Sequence, residues 1–313
     1  MWVFSFLAAP AAFFLLLPAC TAEPPVQEAP SEQILVAEQE PYFYQPPADS
    51  SSPFGTARLK YEDQAEAFMN RFRAISQGSI LIMQQEKMVL QERSKADTAR
   101  FLCVDPLFPA YVSSLLARLY QRHAEIPHAP VPLDEFFPTG RTGTFLARRE
   151  PSYTTAPELA SETYQRLIGR VEKKSADTYG MAAEELLFEP LEIDAYQLKE
   201  GQLCVPPQAL LQLSSLWLRK GRWNGEQFLS EAVVKRVMAP AYATEWGKEV
   251  YGWQYYRLRA KGRKQPVLFW EGESLYLFLL PELEAAILIR ADEPIQGELW
   301  ELLQQYMIPA LFP

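Results

Sequence analysis

From residue 251 to the end of the chain, four apolar, strand-like runs follow one another: YGWQYYRLRA, QPVLFW, LYLFLLP and EAAILIRA. GELWELLQQYM, an amphipathic run, then closes the chain as a helix. The only comparable strand signal lies far upstream, in SILIMQQEKMVLQER, which reads as a hairpin around the polar four-residue turn QQEK. Just before it, YEDQAEAFMNRFRAI places Ala65, Phe68, Phe72 and Ile75 at helical spacing. Between the two strand regions the pattern is helical, in SETYQRLIGRVEKK, SADTYGMAAEELLF, PPQALLQLSSLWLRKG and SEAVVKRVMAP. Strands at both ends of a chain around a helical middle leave few arrangements. The expected fold is α+β: an antiparallel sheet built from both chain ends, with flanking helices and a helical insertion. The sheet region is expected over 58–103 plus 247–313 and the helical region over about 104–240.

Ahead of this domain (58–313), two segments have a different composition. MWVFSFLAAPAAFFLLLPAC is an apolar run that reads as an export signal over residues 1–19, although the first basic residue of the chain is Arg58. Its end, Leu17-Pro18-Ala19-Cys20, resembles the bacterial lipobox. That resemblance implies lipidation of Cys20 and a chain held on a membrane surface, in the cell envelope; a plain signal peptide is the alternative. Residues 20–57 are rich in Pro, Glu, Gln and Ser and read as a tether, with the ILVAEQEPYFY stretch expected to be solvated rather than docked. The net charge of −9 and the lack of a visible basic stripe exclude nucleic acid as a partner. Beyond Cys20 only Cys103 and Cys204 remain, and two small buried hydrophobes are favoured over a disulfide.

Several segments resemble a known family. GSILIMQQEKMVLQE, SETYQRLIGRVEKKSADTYGMAAEELLFEPLEI, LLQLSSLWLRKGRWNGEQFLSEAVVKRVMAP, and YGWQYY with LYLFLLPELEAAILI are similar, in order and spacing, to the penicillin-recognising serine hydrolases. That family contains the class C β-lactamases, DD-peptidases and related esterases. The resemblance covers about residues 60 to 310, and GRWNGEQFL is its most specific marker. It implies a β-lactamase/transpeptidase-like fold and a cleft that once performed acyl transfer.

The family's chemistry rests on three constellations. A serine three residues before a lysine lets the amine take the hydroxyl proton. A Tyr-x-Asn assists the leaving group, and a Lys/His-x-Gly strand lines an oxyanion site. Matched by position, Pro106 and Pro109 fall at the serine and lysine, and Ala160 and Glu162 at the tyrosine and asparagine. Gly272, Glu273 and Ser274 fall near the Lys/His-x-Gly. No serine anywhere in the chain has a lysine three residues on. The resemblance therefore implies a degenerate member with no catalytic residues. Its vestigial cleft is expected at Asp105, Pro106, Pro109, Glu162, Trp270, Glu271 and Glu273.

Other chemistry is weakly signalled. His123 and His128 are separated by a proline and share no helix face, so they do not read as metal ligands. No metal or cofactor is expected. Cys103 lacks a basic neighbour to lower its pKa. Two classes of function stay open: a non-catalytic envelope lipoprotein that binds a protein partner or a cell-wall-like or small ligand, and a hydrolase whose nucleophile has moved to Ser113, Ser114, Ser161 or Ser274. An unrelated envelope protein of mixed fold is a third possibility.

Overall fold

The computed structural model describes residues 41–47, 54–93, 101–103, 114, 118, 184–199, 202–238, 242–244, 247–250, 253–272 and 274–313. Residues 41 to 313 form one compact unit. In chain order the described elements are β1 (Gly55–Thr56), α1 (Glu62–Ile75), β2 (Ser79–Gln84), β3 (Lys87–Glu92), β4 (Leu102–Cys103), β5 (Gln197–Lys199), β6 (Gln202–Val205), α2 (Pro207–Leu218), β7 (Arg222–Trp223), β8 (Glu226–Gln227), α3 (Glu231–Met238), β9 (Tyr242–Thr244), β10 (Gly247–Val250), β11 (Trp253–Ala260), β12 (Arg263–Glu271), β13 (Leu275–Leu280), β14 (Ala285–Arg290) and α4 (Gln296–Leu302). α4 runs on through the wider turns of Leu303–Met307 to Ile308–Ala310.

Nine strands form the main sheet in the order β1-β3-β2-β14-β13-β12-β11-β10-β9. Every pairing is antiparallel except β1 with β3. The two chain ends meet where β14 pairs with β2, from Ala285 opposite Gln84 to Arg290 opposite Ser79. The α+β expectation is met, with one short parallel edge added.

The central strands read as unbroken apolar runs because both of their faces are covered. Along β2, Leu81 and Met83 face α2 and the 186–193 segment, while Ile80 and Ile82 face α1 and α4. The same alternation runs through β13 and β14. Leu275, Leu277, Ala286 and Leu288 lie on the α2 side; Tyr276, Phe278, Ile287 and Ile289 lie on the α1 and α4 side. On α1 the buried positions are Ala65, Phe68, Met69 and Phe72, whereas Ile75 ends the helix and is exposed. The helical period extends one residue too far there.

Three two-residue turns hold the hairpins, each with both central residues at positive φ: Gln85-Glu86, Asn224-Gly225 and Lys261-Gly262. The expected four-residue turn at QQEK is therefore a two-residue one, since Gln84 already pairs with Lys87. Neither Gln85 nor Glu86 is a glycine, and such residues tolerate the left-handed region only at a cost. Neighbouring contacts offset it: the Gln85 N–H donates to the Glu284 carbonyl (2.9 Å), and Glu86 is paired with Arg219.

The end of the tether docks. Tyr42 and Tyr44 are buried while Phe43 between them is 68% exposed, a strand-like alternation pressed onto α1. Asn70 answers both backbone groups of Tyr42, at 2.5 Å from its N–H and 3.4 Å from its carbonyl. The Tyr44 N–H donates to Glu66 (2.9 Å). The Tyr44 hydroxyl donates to the Val89 carbonyl (2.7 Å) and accepts from the Leu59 N–H (3.0 Å). Burial, with Glu92 nearby, pushes the Tyr42 phenol up to about 12. The solvated tether expected there is thus corrected for residues 41–44; hydrophobic burial and satisfied backbone groups outweigh its polar composition.

Candidate functional site

A second, small sheet, β4-β6-β5, sets Leu102 opposite Val205 and Cys103 opposite Cys204. The two cysteines form a disulfide with a Cα–Cα distance of 3.9 Å. This corrects the expectation of two buried thiols and removes Cys103 as a nucleophile. The spacing of 101 residues carried no signature of pairing; only the strand register brings the two together. In sequence, the bridge spans Pro106, Pro109, Ala160 and Glu162. Those four positions, with Asp105, Ser113, Ser161, Glu273, the two histidines and Cys20, lie outside the described residues.

Two residues of the expected nucleophile-bearing helix are described, Ser114 and Arg118, one helical turn apart. Ser114 is 1% exposed, and its Oγ accepts a hydrogen bond from the Trp217 indole N–H at 3.0 Å. Trp217, on α2, stands edge-on to Trp253 with ring centroids 5.7 Å apart. Ser114 therefore serves the core. A buried hydroxyl bonded to the Trp217 indole is not open to a substrate carbonyl, which counts against Ser114 as a nucleophile. Arg118 is anchored likewise: it donates to the Phe228 carbonyl (2.9 Å) and its guanidinium lies 3.9 Å from the centre of the Phe228 ring.

The remaining candidates gather at the turn between β12 and β13. Trp270 is 2% exposed and belongs to the core on the α2 side, so it does not wall an open cleft. A Cβ on Gly272 would lie 2.7 Å from Cη2 of this indole, which explains the glycine without any oxyanion role. Ser274 takes positive φ in the turn and its carbonyl accepts from the Ala291 N–H (2.9 Å). Glu271, opposite Tyr276 across the strands, is raised above the usual carboxylate range by burial, opposed by a hydrogen bond from Gln296. Burial also raises the Tyr276 phenol, whose oxygen accepts from the Ile295 N–H at 2.9 Å. The chain's one Lys-x-Gly begins at Lys199, the last residue of β5 in the small sheet, and so is not part of the main-sheet strands that form this turn.

The Gln254–Phe269 pairing sets Trp253 beside Trp270 on the α2 side of the main sheet. Both indole N–H groups are buried, and among the described residues neither has an acceptor. A buried, unmet donor costs about 1–3 kcal/mol, so the sheet keeps two such groups at an expense to stability. Among the described residues no group of three or more His, Cys, Asp or Glu side chains is placed to hold a metal.

No protein-family model and no curated protein matches the chain. Solved structures do. The octameric penicillin-binding protein homologue from Pyrococcus abyssi is similar at a TM-score of 0.52 and 10% identity, over 81% of this chain and 77% of that one. FmtA from Staphylococcus aureus is similar at 0.51 and 9% identity, over 85% of this chain and 94% of its own. The chain has the β-lactamase/transpeptidase-like fold. At such identities the likeness is one of fold, and an activity has to be argued from the site.

Proposed function

We propose that this β-lactamase/transpeptidase-like chain is a non-catalytic envelope lipoprotein, held at a membrane through Cys20, that acts by binding a protein partner or a cell-wall-like ligand. The observation that carries the reading is chemical: no serine in the sequence precedes a lysine by three residues, and the chain has no Tyr-x-Asn. A serine hydroxyl attacks a carbonyl only when a base takes its proton. Ser114, the one described serine on the expected helix, is turned into the core. The Cys103–Cys204 disulfide supports an oxidising compartment and hence export.

Purified full-length protein is expected to hydrolyse a chromogenic cephalosporin, a p-nitrophenyl ester and a D-alanyl-D-alanine peptide no faster than buffer. Turnover of any of these, abolished by substitution of one serine of this chain, would establish the competing hydrolase reading.

A further inference from the structure

The β11–β12 hairpin concentrates charge in a way that the chain's average conceals. Residues 257–264, RLRAKGRK, hold five cations and no acid. Subtracting five from −9 leaves −14 for the rest of the chain. All five, Arg257, Arg259, Lys261, Arg263 and Lys264, are exposed. The expectation of no basic stripe is corrected here, because net charge hides a local block of one sign.

Their arrangement has a stability cost. Arg259 is directly opposite Lys264, and Arg257 is opposite Pro266, so Arg257, Arg259 and Lys264 share one face of the ribbon. Like charges directly opposite across a strand pair are destabilising. Among the described residues no carboxylate pairs with any of the five; Arg257 bonds only the Tyr255 hydroxyl (3.2 Å). Lys261 at the turn is packed, its amine 3.4 Å from the centre of the Tyr61 ring, which steadies the tip. Neighbouring cations lie within about one Debye length, roughly 8 Å at physiological salt, so their fields add.

We propose that this hairpin is an electrostatic contact for an anionic lipid surface. The cations lie exposed along a ribbon rather than in a concave pocket, so they fit an extended array of phosphates better than one enclosed small anion. The rest of the chain carries a net −14, so the hairpin is favoured over the average of the remaining surface and the contact also orients the domain. The hairpin tip and the Glu271–Ser274 turn sit at opposite ends of β12, about 27 Å apart at roughly 3.3 Å per residue. The contact therefore points the candidate site away from the lipid. The choice of a membrane over another polyanion rests on the proposed lipid anchor at Cys20.

Co-flotation of the full chain with vesicles tests this. One set is phosphatidylcholine and the other contains one part phosphatidylglycerol to two of phosphatidylcholine. Each cation near such a surface adds about fivefold in binding. With the three that share one face engaged, retention should be roughly a hundredfold stronger on the anionic set, and about 0.5 M salt should largely remove the gain. Replacing Arg257, Arg259, Arg263 and Lys264 by Gln should abolish the gain while leaving retention on phosphatidylcholine intact. Cys20→Ser separates the two ideas: it should weaken retention on both vesicle types but keep the anionic preference. Equal retention on both sets, or a gain that survives the fourfold substitution, would overturn the proposal. So would amide-exchange protection of residues 257–264 by inorganic phosphate or an acidic protein without protection by anionic vesicles.

Discussion

Reducing the Cys103–Cys204 disulfide is expected to lower the thermal unfolding midpoint of the full chain by about 10 °C. The bridge joins residues separated by 101 positions, so it closes a very long loop. In the chain-entropy account, a loop of about 100 residues removes up to about 4.7 kcal/mol of disorder from the unfolded state. Each kcal/mol moves the midpoint by roughly 2–4 °C in a domain of this size. The native side of the balance should change little. Cys103 and Cys204 already face each other on paired strands, and Val205 is buried beside them. Cys103→Ser with Cys204→Ser should match the reduced protein. The measurement is a thermal melt with and without reductant, with thiol titration confirming that both sulfurs are free. An unchanged midpoint with two titratable thiols would show that the bond does not restrict the unfolded chain as this account requires.

Tyr44→Ala should destabilise the fold by about 3–5 kcal/mol, the range for truncating a large buried aromatic. Tyr44→Phe should cost only about 1–3 kcal/mol, the penalty for orphaning buried polar groups. The difference follows from the two jobs of this side chain. Its ring is buried against α1, and its hydroxyl serves the Leu59 N–H and the Val89 carbonyl together. Alanine forfeits both contributions, whereas phenylalanine keeps the ring. Urea unfolding of both variants separates them. Equal losses would mean that the hydroxyl alone anchors the segment, and no loss in either would mean that residues 41–44 are not docked in solution.

The sheet was legible because its strands are apolar runs too short for helices, repeated at both chain ends. Their order along the chain left the β2–β14 junction as the natural seam. What escaped was long-range or hidden by averages. A cysteine pair separated by 101 residues has no local signature. Gln85-Glu86 takes a turn that usually needs glycine or asparagine, so the hairpin read two residues too loose. The alternation in Tyr42-Phe43-Tyr44 is a strand signal that the surrounding prolines obscured. RLRAKGRK was plain in the sequence, but a net charge of −9 drew attention from it. At the candidate site the sequence located the β12–β13 turn and its residues Gly272 and Ser274. It did not reveal that Trp270 and Ser114 point into the core, because an alternating pattern assigns residues to a face without saying what covers that face.

Intact-mass spectrometry decides most directly whether this scaffold still forms an acyl-enzyme. The full-length protein would be incubated at length with a penicillin and, separately, with a fluorophosphonate. The account predicts an unchanged mass under both conditions. A stoichiometric adduct that maps to one serine and disappears when that serine becomes alanine would contradict it.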